Sequence, residues 1–111
     1  MYLPISADLV SISPASPGSV DIGDPMPANT TLMAIIVAVT TAFDTAATMT
    51  LGDNVTPDLY AAAEHVDLQV AGLYEIPVYK SISVLTQARS YLNLASASAG
   101  AATIYLVLRN T

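Results

Sequence analysis

The chain has 111 residues, enough for one domain with a buried core and too few for two ordinary domains. It contains no cysteine, which excludes disulfides, thiolate metal sites and thiol catalysis. Nine acidic residues outnumber three scattered basic ones, Lys80, Arg89 and Arg109, so we expect no direct nucleic-acid binding and no attraction to an anionic membrane surface.

Charged residues make up only 11% of the sequence, against about 25% in ordinary soluble domains. A surface so poor in charge favours a protein that is covered by other protein. The longest apolar run, residues 32–39, is far shorter than the roughly 18 residues that span a bilayer. The first residues also lack the basic and then apolar pattern of a secretory signal.

Residues 1–30 are predicted to form a proline-rich, extended N-terminal arm, with short extended pieces at residues 8–13 and 19–22. Five of the seven prolines lie here, which excludes a long central strand. Two interpretations stay open: a loosely packed leader, or an arm that lies on a neighbouring subunit. The arm has too many apolar residues for a solvated tail. We therefore predict partner contacts for Tyr2, Leu3, Ile5, Leu9 and Ile12.

Residues 31–53 are predicted to form two adjacent strands that carry most of the core. Strict alternation over residues 32–41 would place Met33, Ile35 and Val37 on one face and Leu32 with Ile36 on the other. Apolar residues on both faces are typical of a central strand, covered on one side by the core and on the other by another layer or a partner. Residues 47–51 alternate more cleanly, and a Gly-Asp-Asn turn follows.

The remaining elements are short. Residues 59–64 favour one helical turn, and residues 95–102 form a turn or linker of small side chains. Strands are predicted at residues 66–71, 73–79, 81–88, 89–94 and 103–109, with Pro77 indicating an edge position. Seven to eight short strands without βαβ spacing predict an all-β fold: an antiparallel β-sandwich, jelly-roll-like, over residues 31–111.

No catalytic, cofactor or metal site is predicted. His65, the only histidine, lies close to Glu64 and Asp67, but a lone histidine at a loop–strand junction favours a structural role. The oxygens of Asp53 and Asp58 could hold calcium weakly, but their spacing favours turn and capping roles. The six tyrosines could line a carbohydrate site, although protein contact suits tyrosine better.

One long segment, VTTAFDTAATMTLGDNVTPDLYAAAEHVDLQVAGLY, is followed by ASAGAATIYLVLRN near the end of the chain. Over residues 35–109 this pattern resembles small structural proteins of tailed bacteriophages. The matching elements are residues 41–60, 71–74 and 98–105. The capsid decoration, or staple, proteins of short-tailed enterobacterial phages fit best in size and composition.

The resemblance implies architecture and a role, but no site residues. Phe43 would lie in the core, Gly52, Gly72 and Gly100 would serve turns, and aspartates would cap them. It also implies a non-enzymatic virion protein, without cofactors, that binds the major capsid protein on the outer capsid surface. There it would staple neighbouring capsomers against internal DNA pressure.

Two further expectations concern assembly and alternatives. Because residues 32–39 are apolar on both faces and charge is scarce, we expect a homo-oligomer, with a dimer favoured.

The alternative function is a receptor- or carbohydrate-binding module of a phage tail or fibre, and a hydrolase is a distant third. Aromatic side chains that converge on one cleft would favour the module.

Overall fold

The structure is a computed structural model that describes residues 5–110. Seven strands and one 3-10 helix follow one another in chain order. They are β1 (Ile5–Ile12), β2 (Ser19–Asp21), β3 (Thr30–Thr41), β4 (Thr48–Asp53), the 3-10 helix (Ala63–His65), β5 (Gly72–Ile82), β6 (Ala88–Asn93) and β7 (Ala101–Asn110). Within residues 5–110, no helix is long and apolar enough to cross a membrane.

The strands form two antiparallel sheets, which confirms the predicted all-β sandwich. The larger sheet has the order β1-β7-β3-β5, and the smaller has the order β2-β6-β4. Strands that follow one another in sequence therefore lie in different sheets throughout. Apolar side chains from both sheets meet between them in one core cluster that includes Ile35, Met49 and Leu106.

The predicted N-terminal arm is part of the sandwich over its described residues. β1 pairs with β7 along its whole length, and β2 pairs with β6. The prolines permit this because Pro14, Pro17, Pro25 and Pro27 all lie in the connections that flank β2. Residues 1–4 lie outside the described residues.

β3 is the central strand that the sequence predicts, between β7 and β5. The predicted division of its faces is wrong at one point, because the pairing register shifts between Leu32 and Ala34. This bulge turns Leu32 into the core beside Ile35 and Val37, each of them 0% exposed. β4 is not adjacent to β3 as expected, since the connection between them crosses to the other sheet.

Three local predictions are also corrected. Residues 66–71 form turns rather than a strand. Apolar and polar residues alternate there because the side chains of Val66 and Leu68 are buried beneath the segment. Residues 83–87 are a connection rather than part of the strand predicted at residues 81–88, and Val84 within them is 68% exposed. The helical turn lies at Ala63–His65 and is 3-10.

The sandwich has two ends that carry different connections. At the Thr30 end, where β3 begins, lie residues 22–29, 54–60 and 83–87. At the Thr41 end, where β3 finishes, lie residues 13–18, 42–47 and 94–100. Residues 61–71 run back from the first end to the second beside β4, where Ala61 bridges to Leu51.

Candidate functional site

In the predicted acid–histidine cluster, the side chains of His65 and Asp67 form hydrogen bonds with nearby backbone nitrogens. The Nδ1 atom of His65 lies 2.9 Å from the backbone nitrogen of Ala62, which donates a hydrogen bond to it. Asp67 accepts a hydrogen bond from the backbone of Gln69 at 3.0 Å. Glu64 and Asp67 line a shallow depression of about 290 Å³ that His65 does not line. This arrangement is that of a capped turn.

The candidate calcium ligands serve a turn in the same way. One carboxylate oxygen of Asp53 accepts hydrogen bonds from the backbone nitrogens of Val55 at 2.9 Å and Thr56 at 2.7 Å. Asp58 is exposed. Among the described residues, no group of three or more histidine, cysteine or acidic side chains could hold a metal ion.

Five large apolar side chains are exposed on segments at the Thr30 end, and we call this set the apolar patch. They belong to the connections 54–60 and 83–87 and to the last part of β5. The fold brings these segments together because Asp53 pairs with Ala88 while Ile82 pairs with Thr30. The members and their exposed fractions are Val55 (80%), Leu59 (43%), Tyr79 (70%), Val84 (68%) and Leu85 (69%).

The connections that carry the apolar patch are fixed by backbone contacts. Met26 and Thr86 bond to each other's backbone at 2.7 and 2.9 Å, which anchors the connection just after Val84 and Leu85. In the other connection, the backbone lies so close to Gly52 that an added Cβ would be 2.0 Å from the carbonyl oxygen of Thr56. A held loop loses less conformational entropy when it binds a partner.

A groove of about 540 Å³ opens beside the apolar patch, between Leu59–Tyr60 and residues 77–81 of β5. Tyr79 on its rim has a positive φ of 52°, a backbone conformation that is costly for a tyrosine. The hydroxyl of Tyr60 is buried without a hydrogen-bond partner in the described structure. Burial, and secondly the charge of Asp53, raise the pKa of Tyr60.

The predicted partner-contact residues are spread over different environments. Tyr2 and Leu3 lie outside the described residues, as does the side chain of Ile5. Leu9, in β1, is 54% exposed and available for contact. The prediction for Ile12 is corrected, since its side chain is 2% exposed and packs in the core.

The apolar patch was not predicted from the sequence, although a local signal exists. Val84 and Leu85 are consecutive apolar residues, which breaks the alternation expected of a half-buried strand. By contrast, the convergence of this pair with Val55, Leu59 and Tyr79 follows only from the pairing of the strands.

Two solved structures contain chains with a similar fold. One is the acidic stable capsid structure of the Helicobacter pylori bacteriophage KHP30, with a TM-score of 0.76 and 7% identity, covering 95% of this chain and 86% of that chain. The other is the capsid asymmetric unit of the cyanophage Pam1, with a TM-score of 0.67 and 14% identity, covering 98% of this chain and 85% of that chain. No protein-family model and no curated protein matches the sequence. The chain thus has the fold of chains found in two phage capsid structures.

Proposed function

We propose that the chain is a non-enzymatic virion protein that binds the outer surface of a phage capsid and staples neighbouring capsomers against internal DNA pressure. The observation that carries the proposal is the similarity of nearly the whole chain to chains of two capsid structures. The resemblance of residues 35–109 to small structural proteins of tailed bacteriophages supports a virion role, and size and composition favour the decoration, or staple, proteins among them. It also suggests the short-tailed enterobacterial type.

The major capsid protein is the proposed partner, and the apolar patch is the proposed contact. Fully burying one large apolar side chain is worth about 1.5–3 kcal/mol. Five partly exposed side chains thus offer about 5–10 kcal/mol, from which association subtracts about 4 kcal/mol or more. One patch alone gives a weak contact, and linked patches acting together would give firm attachment.

The charge distribution supports a place outside the shell and away from packaged DNA. The net charge is −6, and the ion pair between Arg89 and Asp21, at 2.8 Å, occupies one of the three basic side chains. Lys80 lines the groove and Arg109 lies near the end of β7, so the described part of the chain has too few positive side chains to neutralise a row of phosphates.

We further propose that the strand order is that of a jelly roll whose eighth strand is reduced to a single bridge. Ala61 occupies the position beside β4 and bonds to Leu51 there. In a complete jelly roll, the eighth strand would lie at this edge of the smaller sheet, beside β4. The 3-10 helix follows immediately and takes the chain out of the sheet plane.

The alternative, a carbohydrate- or receptor-binding module, has less support. Of the five tyrosines that the structure describes, Tyr60 and Tyr79 are the two that line the groove. The hydroxyl of Tyr74 donates to backbone carbonyls at 2.8 and 2.9 Å, and that of Tyr91 donates to the Asp53 carbonyl at 2.7 Å. The described tyrosines therefore do not converge on one cleft.

The proposal is tested by measuring how much of each variant attaches to capsids. The change Val84→Asp combined with Leu85→Asp should reduce occupancy at least 10-fold, because it places charge on two members of the apolar patch. Leu73→Asp is the matched control, since Leu73 is 76% exposed but lies at the Thr41 end. Circular dichroism checks that all variants are folded. Equal occupancy of both variants and the natural chain would contradict the assignment of the apolar patch.

A further inference from the structure

The two sides of the sandwich differ in how their strand edges are protected. On the side of β4 and β5, residues 61–71 run along the edge of the smaller sheet. They are tied to β5 by the Tyr74 hydroxyl, which donates to the carbonyls of Asp67 and Val70. The outer edge of β5 is further interrupted by Pro77 and by the positive φ of Tyr79. Proline and backbone irregularities are the devices that block pairing with another strand.

The opposite edge of the larger sheet carries none of these devices. β1 pairs with β7 from Ile5 to Ile12 without any register shift. Its sequence, ISADLVSI, contains no proline, glycine or lysine. Within the described residues, no strand pairs with its outer edge. A regular edge strand presents a row of unpaired backbone donors and acceptors that fits another extended strand.

We infer that β1 pairs with β1 of a second copy of this chain, antiparallel about a two-fold axis through Leu9. A two-fold axis perpendicular to the sheet keeps each face continuous, so only residues of the same face lie opposite each other. Two registers of this kind pair the largest number of residues of Ile5–Ile12 with the same strand of the second copy. One centres on Asp8 and the other on Leu9.

Charge decides between these two registers. Centring on Asp8 places two aspartates directly opposite each other, which destabilises a strand pair. Centring on Leu9 places Asp8 opposite Val10 of the second copy and brings the two Leu9 side chains together. Leu9 is 54% exposed in the single chain, so this pairing removes apolar surface from water.

The dimer also gives a geometry for stapling, a consequence that rests on the proposed function. Antiparallel pairing reverses one copy, so the two apolar patches lie at opposite ends of the assembly. The chain is 45 Å in its longest dimension. The Thr30 end lies about 20 Å from Leu9, a distance that counts the strand residues between them at 3.3 Å each and includes the connections. The two apolar patches of the dimer therefore lie about 40 Å apart. One dimer could then contact two neighbouring capsomers.

Cysteine crosslinking of the purified full chain tests the register, because the natural chain has no cysteine. Opposed residues in an antiparallel pair have Cα atoms about 4.5–5.5 Å apart, within disulfide reach. Leu9→Cys should therefore form a disulfide-linked dimer under mild oxidation. In Ser11→Cys, the matched control, the two positions would be about 13 Å apart, so crosslinking should be at least 10-fold slower.

A second variant tests the dimer without oxidation. In sedimentation equilibrium, the natural chain should have twice the 11.5 kDa mass of one chain, and Leu9→Lys should have the mass of a single chain. Leu73→Lys, on the protected side of the sandwich, should remain a dimer. Equal crosslinking of the two cysteine variants, none at Leu9→Cys, or an unchanged mass for Leu9→Lys would overturn the inference. These measurements need no capsid, so their failure is distinct from a failure of capsid binding.

Discussion

Three glycines allow backbone strain and steric overlap to be separated in one series of alanine substitutions. Gly72 has a φ of +153°, but an added Cβ would meet nothing within 4 Å. Gly100 has a similar φ of +146°, and its Cβ would lie 2.4 Å from the ring of Phe43. Gly52 has no such φ, and its Cβ would be 2.0 Å from a backbone oxygen. The three sites therefore represent strain alone, strain with overlap, and overlap alone.

The magnitudes follow from these geometries. Gly72→Ala should cost about 1–2 kcal/mol of the free energy of unfolding, the strain of a positive φ. Gly100→Ala should cost about 2–5 kcal/mol, because overpacking adds about 1–3 kcal/mol to a similar strain. Phe43 is 3% exposed and cannot move away without disturbing the core. Gly52→Ala should cost about 2 kcal/mol or more, since rigid backbone must shift.

Urea unfolding followed by far-UV circular dichroism measures these costs from the midpoint at constant slope. The overlap at Gly100 is tested further by adding Phe43→Leu to Gly100→Ala. The smaller side chain should relieve part of the clash, so the double variant should be less destabilised than the sum of the single changes. Equal costs for Gly72→Ala and Gly100→Ala, together with strict additivity, would refute the packing of Gly100 against Phe43.

The remaining predictions concern polar groups. Tyr60→Phe should leave the free energy of unfolding unchanged or raise it by up to about 1 kcal/mol, because it removes a buried hydroxyl without a partner. Tyr91→Phe should lower the free energy of unfolding by about 1 kcal/mol, since the Tyr91 hydroxyl donates a hydrogen bond at 2.7 Å. Urea unfolding that shows Tyr60→Phe to be less stable than Tyr91→Phe would contradict both predictions. Hydrogen bonds from the side chain and then the backbone of Ser98 lower the pKa of Asp44, so its contribution to stability is present above the ordinary value of 3.8 and is lost as the pH falls through the lowered pKa. The stability difference between the natural chain and Asp44→Asn should shrink over that acid range, and a constant difference would count against this role. His65→Ala should leave capsid attachment and infectivity unchanged, whereas a loss of infectivity by a folded, incorporated variant would restore a chemical role for the histidine.

The strands and turns that depend on local chemistry could be predicted from the sequence. Apolar residues on both faces indicated a central β3, and Pro77 indicated an edge strand, as the sheet order confirms. Phe43 is buried as expected, and Asp53 caps its own turn. Asp44 differs slightly, since it accepts hydrogen bonds from Ser98, 54 residues away, and so joins two connections rather than one turn.

The arrangement of the strands could not be predicted in the same way. Periodicity reports which side chains face inward, but it does not report which sheet a strand joins. β3 and β4 therefore looked like neighbours, although the chain crosses between sheets after Thr41. The bulge beside Leu32 and the burial of Val66 and Leu68 outside any strand likewise arise from long-range packing. The apolar patch is of the same kind, because three separate segments form it.

A density map of intact virions that contain this chain tests the proposed staple role. We expect copies of the sandwich on the outer surface of the shell, at the junctions between capsomers, with Val84 and Leu85 in contact with the major capsid protein. We further expect pairs of copies joined through β1. Copies found only in the tail or inside the shell, or copies on the shell whose Thr30 end faces solvent, would contradict it.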